Sequence, residues 1–497
     1  MESPYPSPLK RQLITLFVLS AAFMQQLDAT IANVALPHMQ ASTSASREQI
    51  TWVLTSYIIM SAIFTPLSGW LSDRFSPKRV MIVSLLGFTI ASTLCGLATN
   101  LDQLIAFRML QGMLGAALLP ISQAIMIDIN PPEKHGQAMA MWGIGAIIGP
   151  IAGPLLGGWL TESLSWRWVF FVNIPFGLIA SAGLLLVMSE KRHAAVSRFD
   201  LFGFSMLALA IGSFQLMLDR GQMEDWFQST EIWIEASVAA VAFYLFLVHS
   251  FTAKRPFINL SLFKDTNFVL SSILGFFLGG LMYGVLALLA PMLADLMEYP
   301  IEFVGLITTP RGFGTMLSII ICGRLISIVD GRALILVGLV LCGWSTWIMA
   351  QFSLEMDSWP VIISGFIQGL GAGLMFVPIT TIAFSTIDPR MRNEGAATNS
   401  LIRGLSASIW ISVLQTLTIR NEAAVHARLS EGVRPDNPIV GMHMPDFDFG
   451  VVESIAEMNA EIGRQALMVS YADSFWALFV ASLVVAPIIF MLRPMRQ

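Results

Sequence analysis

Long apolar runs separated by short polar breaks fill almost the whole chain. A bilayer crossing takes about 20 apolar residues. That rule predicts fourteen spans, near 13–36, 51–71, 79–98, 102–127, 137–160, 167–188, 201–219, 231–250, 267–291, 302–325, 332–350, 360–384, 398–419 and 472–492. The runs are nearly continuous and contain Gly and Pro, which fits helices. Barrel strands would instead alternate at period two over about ten residues. The pattern therefore predicts an all-α polytopic membrane protein. The first run passes from Leu13 through Asp28 to Pro37, too long for the apolar core of a cleaved leader, and reads as a retained first span.

Two pairs of segments repeat at nearly one spacing. FRMLQGMLGAALLP (107–120) resembles GFIQGLGAGLMFVP (365–378), with the Gln-Gly pairs 257 residues apart, and GWLSDRFSPKRV (69–80) resembles GRLISIVDGRAL (323–334) at an offset of 254. Transporters often build two such halves around a central site. The expected organisation is a six-helix half over 1–190, two inserted spans over 191–264, and a second six-helix half over 265–497. The second half carries a polar outer loop at 420–471. In the latter part of that loop Val451, Ile455, Met458, Ile462, Ala466 and Val469 recur at helical steps, predicting an amphipathic helix that lies on the bilayer or docks a partner.

Composition agrees with membrane solvation. Only 12% of residues are charged, against about 25% in soluble proteins, and mean hydropathy is +0.70. Eighteen of the 28 Lys and Arg fall on the side of the termini and seven on the other, so both termini are expected in the cytoplasm. Net charge is −5 without long like-charge blocks, which argues against nucleic-acid binding. The isolated Cys95, Cys322 and Cys342 offer neither disulfides nor a zinc spacing. The sequence contains no HExxH pair and no GxSxG elbow, so neither an enzyme, a metal site nor a cofactor is expected.

The remaining signals are motifs. They are LDATIANVALP (27–37); Gly69, Asp73, Arg74, Lys78 and Arg79 after span two; Arg108, Gln111 and Gly112 in span four; and GIGAIIGPIAGPLLGG (143–158) in span five. With these residues the chain resembles the fourteen-span drug:proton antiporter branch of the major facilitator superfamily, the EmrB/QacA type, over nearly its whole length. One departure is Ser76, where the loop motif usually carries Gly. The resemblance implies proton-coupled export of small amphipathic compounds across the inner membrane. It also implies a loop lock made by Asp73, and a periplasmic membrane-fusion adaptor joined to an outer-membrane channel. Gly145, Gly149, Gly153 and Gly157 form a close-approach face, with Pro150 and Pro154 between them. In the antiporter branch this hinge is taken to seal the path between the halves. Export of a single metabolite such as a siderophore, amino acid or fatty acid remains an alternative, as does a non-transporting sensor.

Charges within spans cost about 2.5–3.5 kcal/mol even on the lenient scale and therefore mark function. Counted from the outer ends of their spans, Asp28 and Arg108 lie about 12 and 9 Å deep, at depths where they can meet. They form the expected proton-coupling pair. Asp28, Gln111, Arg311 and Gln368 are the expected cavity residues. Arg311 is read as meeting an anionic substrate or a helix C-terminus, and Arg403 as snorkelling from the inner end of span thirteen.

Overall fold

The computed structural model describes residues 5–190, 199–254, 256–434 and 450–493. Lys191, Arg192, Arg198, Arg255 and Arg496, part of the predicted inner-side charge, lie outside these. Among the described residues the elements are helical: α1 (Pro8–Thr43), α2 (Arg47–Phe64), α3 (Leu67–Phe75), α4 (Pro77–Leu97), α5 (Leu101–Gly115), α6 (Leu118–Asp128), α7 (His135–Ser163), α8 (Trp168–Phe171), α9 (Asn173–Val187), α10 (Leu201–Arg220), α11 (Thr230–Thr252), α12 (Thr266–Gly279), α13 (Val285–Pro291), α14 (Ile301–Leu325), α15 (Gly331–Met349), α16 (Trp359–Ser385), α17 (Arg392–Gly432) and α18 (Val452–Met491). Among the described residues thirteen helices are long and apolar enough to cross a membrane, and α2 with α3, bent by 54°, makes a fourteenth when the bent pair is taken as one span.

Local chemistry explains the breaks. Pro66 has no N–H to continue α2, so the span bends there. Between α5 and α6 the carbonyl of Ala116 accepts from Thr65 Oγ1 at 3.4 Å, which occupies a group that the broken ladder leaves free. Short π-turns at Gly280–Gly284 and Met292–Leu296 flank α13, the second immediately after Pro291.

Counted as fourteen crossings, the spans put Pro8 and Arg493 on one face, here called the terminal end. Helices α1 to α9 pack together, as do α12 to α18, while α10 bridges the two groups by packing on both α2 and α17. Its side chains fasten it to both sides: Asp219 accepts from Thr55 Oγ1 at 2.5 Å, and Gln215 donates to Ser408 at 2.8 Å. The repeat is visible as packing. A Cβ on Gly112 would stand 2.4 Å from the Tyr57 carbonyl, and one on Gly369 2.0 Å from the Arg311 carbonyl, so both helices approach their neighbours at a glycine. Likewise Lys78 donates to Leu185 O and Arg332 to Leu492 O, each a basic residue capping the last span of its half.

One expectation is corrected. The segment 451–469 is not a separate helix on the bilayer surface but the beginning of α18, and residues 420–432 continue α17. At 1.5 Å per residue these helices of 41 and 40 residues run about 60 Å, twice the hydrocarbon thickness. They pack on each other through Thr418 with Ser474 (2.8 Å) and Asn421 with Asp473 (2.6 Å), so mutual contact sustains a helix where hydropathy has ended.

Candidate functional site

Arg108 and Gln111 stand three residues apart on α5 and therefore share a face. Opposite them α1 presents Asp28. Arg108 Nη1 donates to Asp28 Oδ2 at 2.7 Å and to Gln111 Oε1 at 2.8 Å, while Gln111 Nε2 donates to Asp28 Oδ1 at 2.8 Å. A third donor, Asn173 Nδ2 at the start of α9, also reaches Asp28 Oδ1 at 2.8 Å and is held by Ser92 Oγ at 3.0 Å. The Arg108 guanidinium lies 4.2 Å from the Tyr57 ring centroid, and its Nε donates to Val53 O at 3.1 Å. Side-chain exposure is 1% for Arg108 and 0% for Asp28. Two opposite charges buried in a membrane protein are tolerable only when ion-paired and hydrogen-bonded, and Asp28 meets both conditions with its three donors.

The halves enclose a cavity of about 1390 Å³. It runs from His38, Glu162 and Pro300 at the end away from the termini down to Trp142, Phe376 and Arg403. At the terminal end the halves touch: a Cβ on Gly136 would meet Ile326 at 2.3 Å, and one on Gly323 would meet Ala140 at 2.7 Å. The cavity is thus closed toward the termini.

Of the four expected cavity residues only Arg311 lines it. Asp28 and Gln111 are fully buried behind Gln25 and Tyr57, which form the wall. Gln368 is drawn away by its bond to Leu281 O at 3.1 Å. Arg311 donates through Nη2 to the carbonyls of Leu281 (3.2 Å) and Met282, in the π-turn after α12. Arg403 does not snorkel. It lies beside the stacked rings of Trp142 and Phe376, with its guanidinium 5.2 and 5.9 Å from their centroids.

The glycine face of α7 packs on α1 within its own half. A Cβ on Gly149 would stand 2.7 Å from Leu27 N, one on Gly153 2.1 Å from Thr30 Oγ1, and those on Gly145 and Gly157 3.0 Å from Leu19 and Ile31. The seam between halves uses other α7 residues: Gly143 faces Phe376, and Ile151 faces Gly312. Pro150 and Pro154 line the cavity.

At the terminal end Gly69 lets α3 approach α17, where a Cβ would stand 3.0 Å from Glu394 Cα. Asp73 accepts from Asn393 Nδ2 at 2.7 Å across the halves. Arg79 pairs with Glu190, Lys78 caps α9, and Arg74 is exposed. Ser76 adopts φ 84°, ψ 135°, a backbone suited to glycine.

Asn173, Tyr57 and Ser92 are the site residues that counting charges missed. Asn173 is a lone amide in the apolar run FFVNIPFG (170–177), at the same depth as the pair.

The Major Facilitator Superfamily profile matches residues 18–411. The chain is 33% identical to the multidrug export protein EmrB of Escherichia coli (strain K12) over 493 residues, covering 97% of this chain and 95% of that one. It is 34% identical to the fatty acid resistance protein FarB of Neisseria gonorrhoeae, covering 99% and 98%. Among solved structures the proton:xylose symporter XylE shares the fold, with a TM-score of 0.65 at 12% identity, covering 98% and 97%.

Proposed function

The chain belongs to the Major Facilitator Superfamily, and from that footing we propose that it exports small amphipathic compounds in exchange for protons. The observation that carries this reading is the Asp28 cluster. A sealed carboxylate has one arginine and two amides as donors, and Gln25 and Tyr57 stand between it and a large cavity. A proton arriving from the cavity neutralises Asp28 and removes the charge that holds Arg108. The link from α1 to α5 then weakens, and α7, in glycine contact with α1, moves with it. The contacts of Gly69 and Asp73 with the start of α17 hold the terminal end shut until then. With both termini in the cytoplasm the cavity faces outward, where protons enter. Each inward charge is driven by about 2.3 kcal/mol per 100 mV of membrane potential.

The EmrB-named relative supports export of many compounds. The FarB-named relative favours a second reading, export of a single metabolite of the fatty-acid kind. For partners, the joined α17 and α18 extend beyond the membrane and leave Val452 and Ile455 exposed, a surface suited to a periplasmic adaptor.

The test is flux into inverted vesicles across cationic, neutral and acidic compounds, with and without a proton gradient. Gradient-driven uptake of several classes is expected. Uptake that ignores the gradient overturns proton coupling, and uptake of one metabolite alone selects the second reading.

A further inference from the structure

The two halves use the same scaffold but differ in charge balance. Gln111 binds Asp28 Oδ1, and its repeat counterpart Gln368 binds Leu281 O, so a main-chain carbonyl stands where the first half has a carboxylate. The π-turn Gly280–Gly284 shifts the helical ladder and frees carbonyls to accept from side chains. Arg311 fills the cation's place from the neighbouring helix, opposite Gly365 rather than on it. The first half is thus electrically closed, while the second holds an arginine against dipoles that carry no formal charge.

The unspent hydrogen-bonding capacity points the same way. Arg311 uses only Nη2, leaving Nε and both Nη1 protons without an acceptor among the described residues, and its side chain lines the cavity. Arg403 lines the floor of that cavity and likewise donates only through Nη2, in long contacts to Gln123 (3.4 Å) and Ser400 (3.3 Å). Among the described lining residues the one acid is Glu162, at the mouth. Arg311 is ten residues into α14 from the mouth side, about 15 Å deeper. Two arginines facing an apolar chamber whose one lining acid, among the described residues, lies at its mouth are costly unless a ligand supplies the charge.

We infer that Arg311 and Arg403 form the head-group site for an amphipathic organic anion, a carboxylate or sulfonate whose apolar body lies along Ile147, Ile151, Leu278, Leu286 and Phe313. This rests on the exporter reading above and names its substrate class. The anion takes the free face of Arg311 first. Full bidentate contact then draws the guanidinium from Leu281 and Met282, leaving Gln368 as the remaining donor to Leu281.

Two probes of one shape and opposite permanent charge test it: radiolabelled 2-naphthalenesulfonate and 2-naphthyltrimethylammonium, bound to the full chain in phosphatidylcholine nanodiscs. The expected result is at least tenfold tighter binding of the sulfonate. Arg311→Gln and Arg403→Gln should each remove most of that preference, and Arg311→Lys should keep part. Because Arg403→Gln leaves the π-turn contacts of Arg311 in place, its loss cannot come from misfolding there. Equal binding of both probes, or a preference that survives both Gln variants, overturns the assignment. So does loss of sulfonate binding when phosphatidylglycerol is added, since the site would then hold a lipid head group. In proteoliposomes, movement of the cation but not the sulfonate overturns only this assignment. Movement of neither overturns the exporter reading beneath it.

Discussion

Arg108 lies 2.7 Å from Asp28 with both side chains sealed, which makes the two charges a single unit. Removing one partner leaves the other buried and uncompensated, which costs about 3–5 kcal/mol. Asp28→Asn and Arg108→Gln should therefore each lower the melting temperature of the purified protein and abolish proton-driven export. The double variant should recover much of the stability, as a neutral amide pair, yet remain uncoupled. A double variant that restores gradient-driven flux would move the coupling site elsewhere. Asp28→Glu should retain part of the flux.

That pair was legible because depth along two helices can be counted from an apolar run, and a charge inside a run is conspicuous. Asn173 was equally deep but uncharged, so a search restricted to charges passed over it. The burial of Asp28 behind Tyr57 was not legible, since sequence places a residue on a helix without saying what stands before it. Nor was the π-turn at 280–284, because Gly280 and Gly284 look like any packing glycines. The end of α17 reads as loop because hydropathy falls at the membrane boundary, and for the same reason the start of α18 reads as a helix separate from the last span. Segments such as NEAAVHARL (421–429) are nonetheless rich in helix formers, and a partner helix completes them.

Asn173 supplies one of the three donors that hold the Asp28 carboxylate. Asn173→Ala should lower gradient-driven flux, while changing substrate affinity little because Asn173 is fully buried and away from the cavity lining. Asn173→Asp sets a second acid in place of that donor and should lower flux further. Gradient-driven flux identical to that of the parent chain in both variants rules out a positioning role.

Ser76 holds φ 84° between α3 and α4, a conformation that costs a non-glycine residue about 1–3 kcal/mol. Ser76→Gly should recover about 1 kcal/mol, read as a higher melting temperature. Ser76→Val should lower it, since a branched Cβ fits this backbone least. If Ser76→Gly destabilises, the loop is not strained as its backbone indicates.

The charge asymmetry predicts that Glu431, at the far end of α17, and Arg192 face opposite sides of the membrane. Single cysteines at the two positions should label from opposite sides in intact cells. Labelling of both from one side rejects this topology.

Gly149 is where α7 comes closest to the coupling site, because its missing Cβ would meet Leu27 N at 2.7 Å, one residue before Asp28. Backbone cannot swing aside as a side chain can, so Gly149→Ala must displace α1 and with it Asp28. At Gly145 the nearest atom is the end of the Leu19 side chain at 3.0 Å, which can turn away. Overpacking of this kind costs about 1–3 kcal/mol. The expectation is therefore ordered: Gly145→Ala changes flux and stability little, whereas Gly149→Ala lowers both and shifts the pH dependence of exchange. Leu27→Ala cannot relieve the defect, because the obstructing atom is main chain, whereas Thr30→Ala should relieve Gly153→Ala, whose obstacle is Thr30 Oγ1. If Gly145→Ala and Gly149→Ala prove equivalent in flux and pH profile, the glycine face is packing alone and α7 does not carry the state of Asp28 to the cavity.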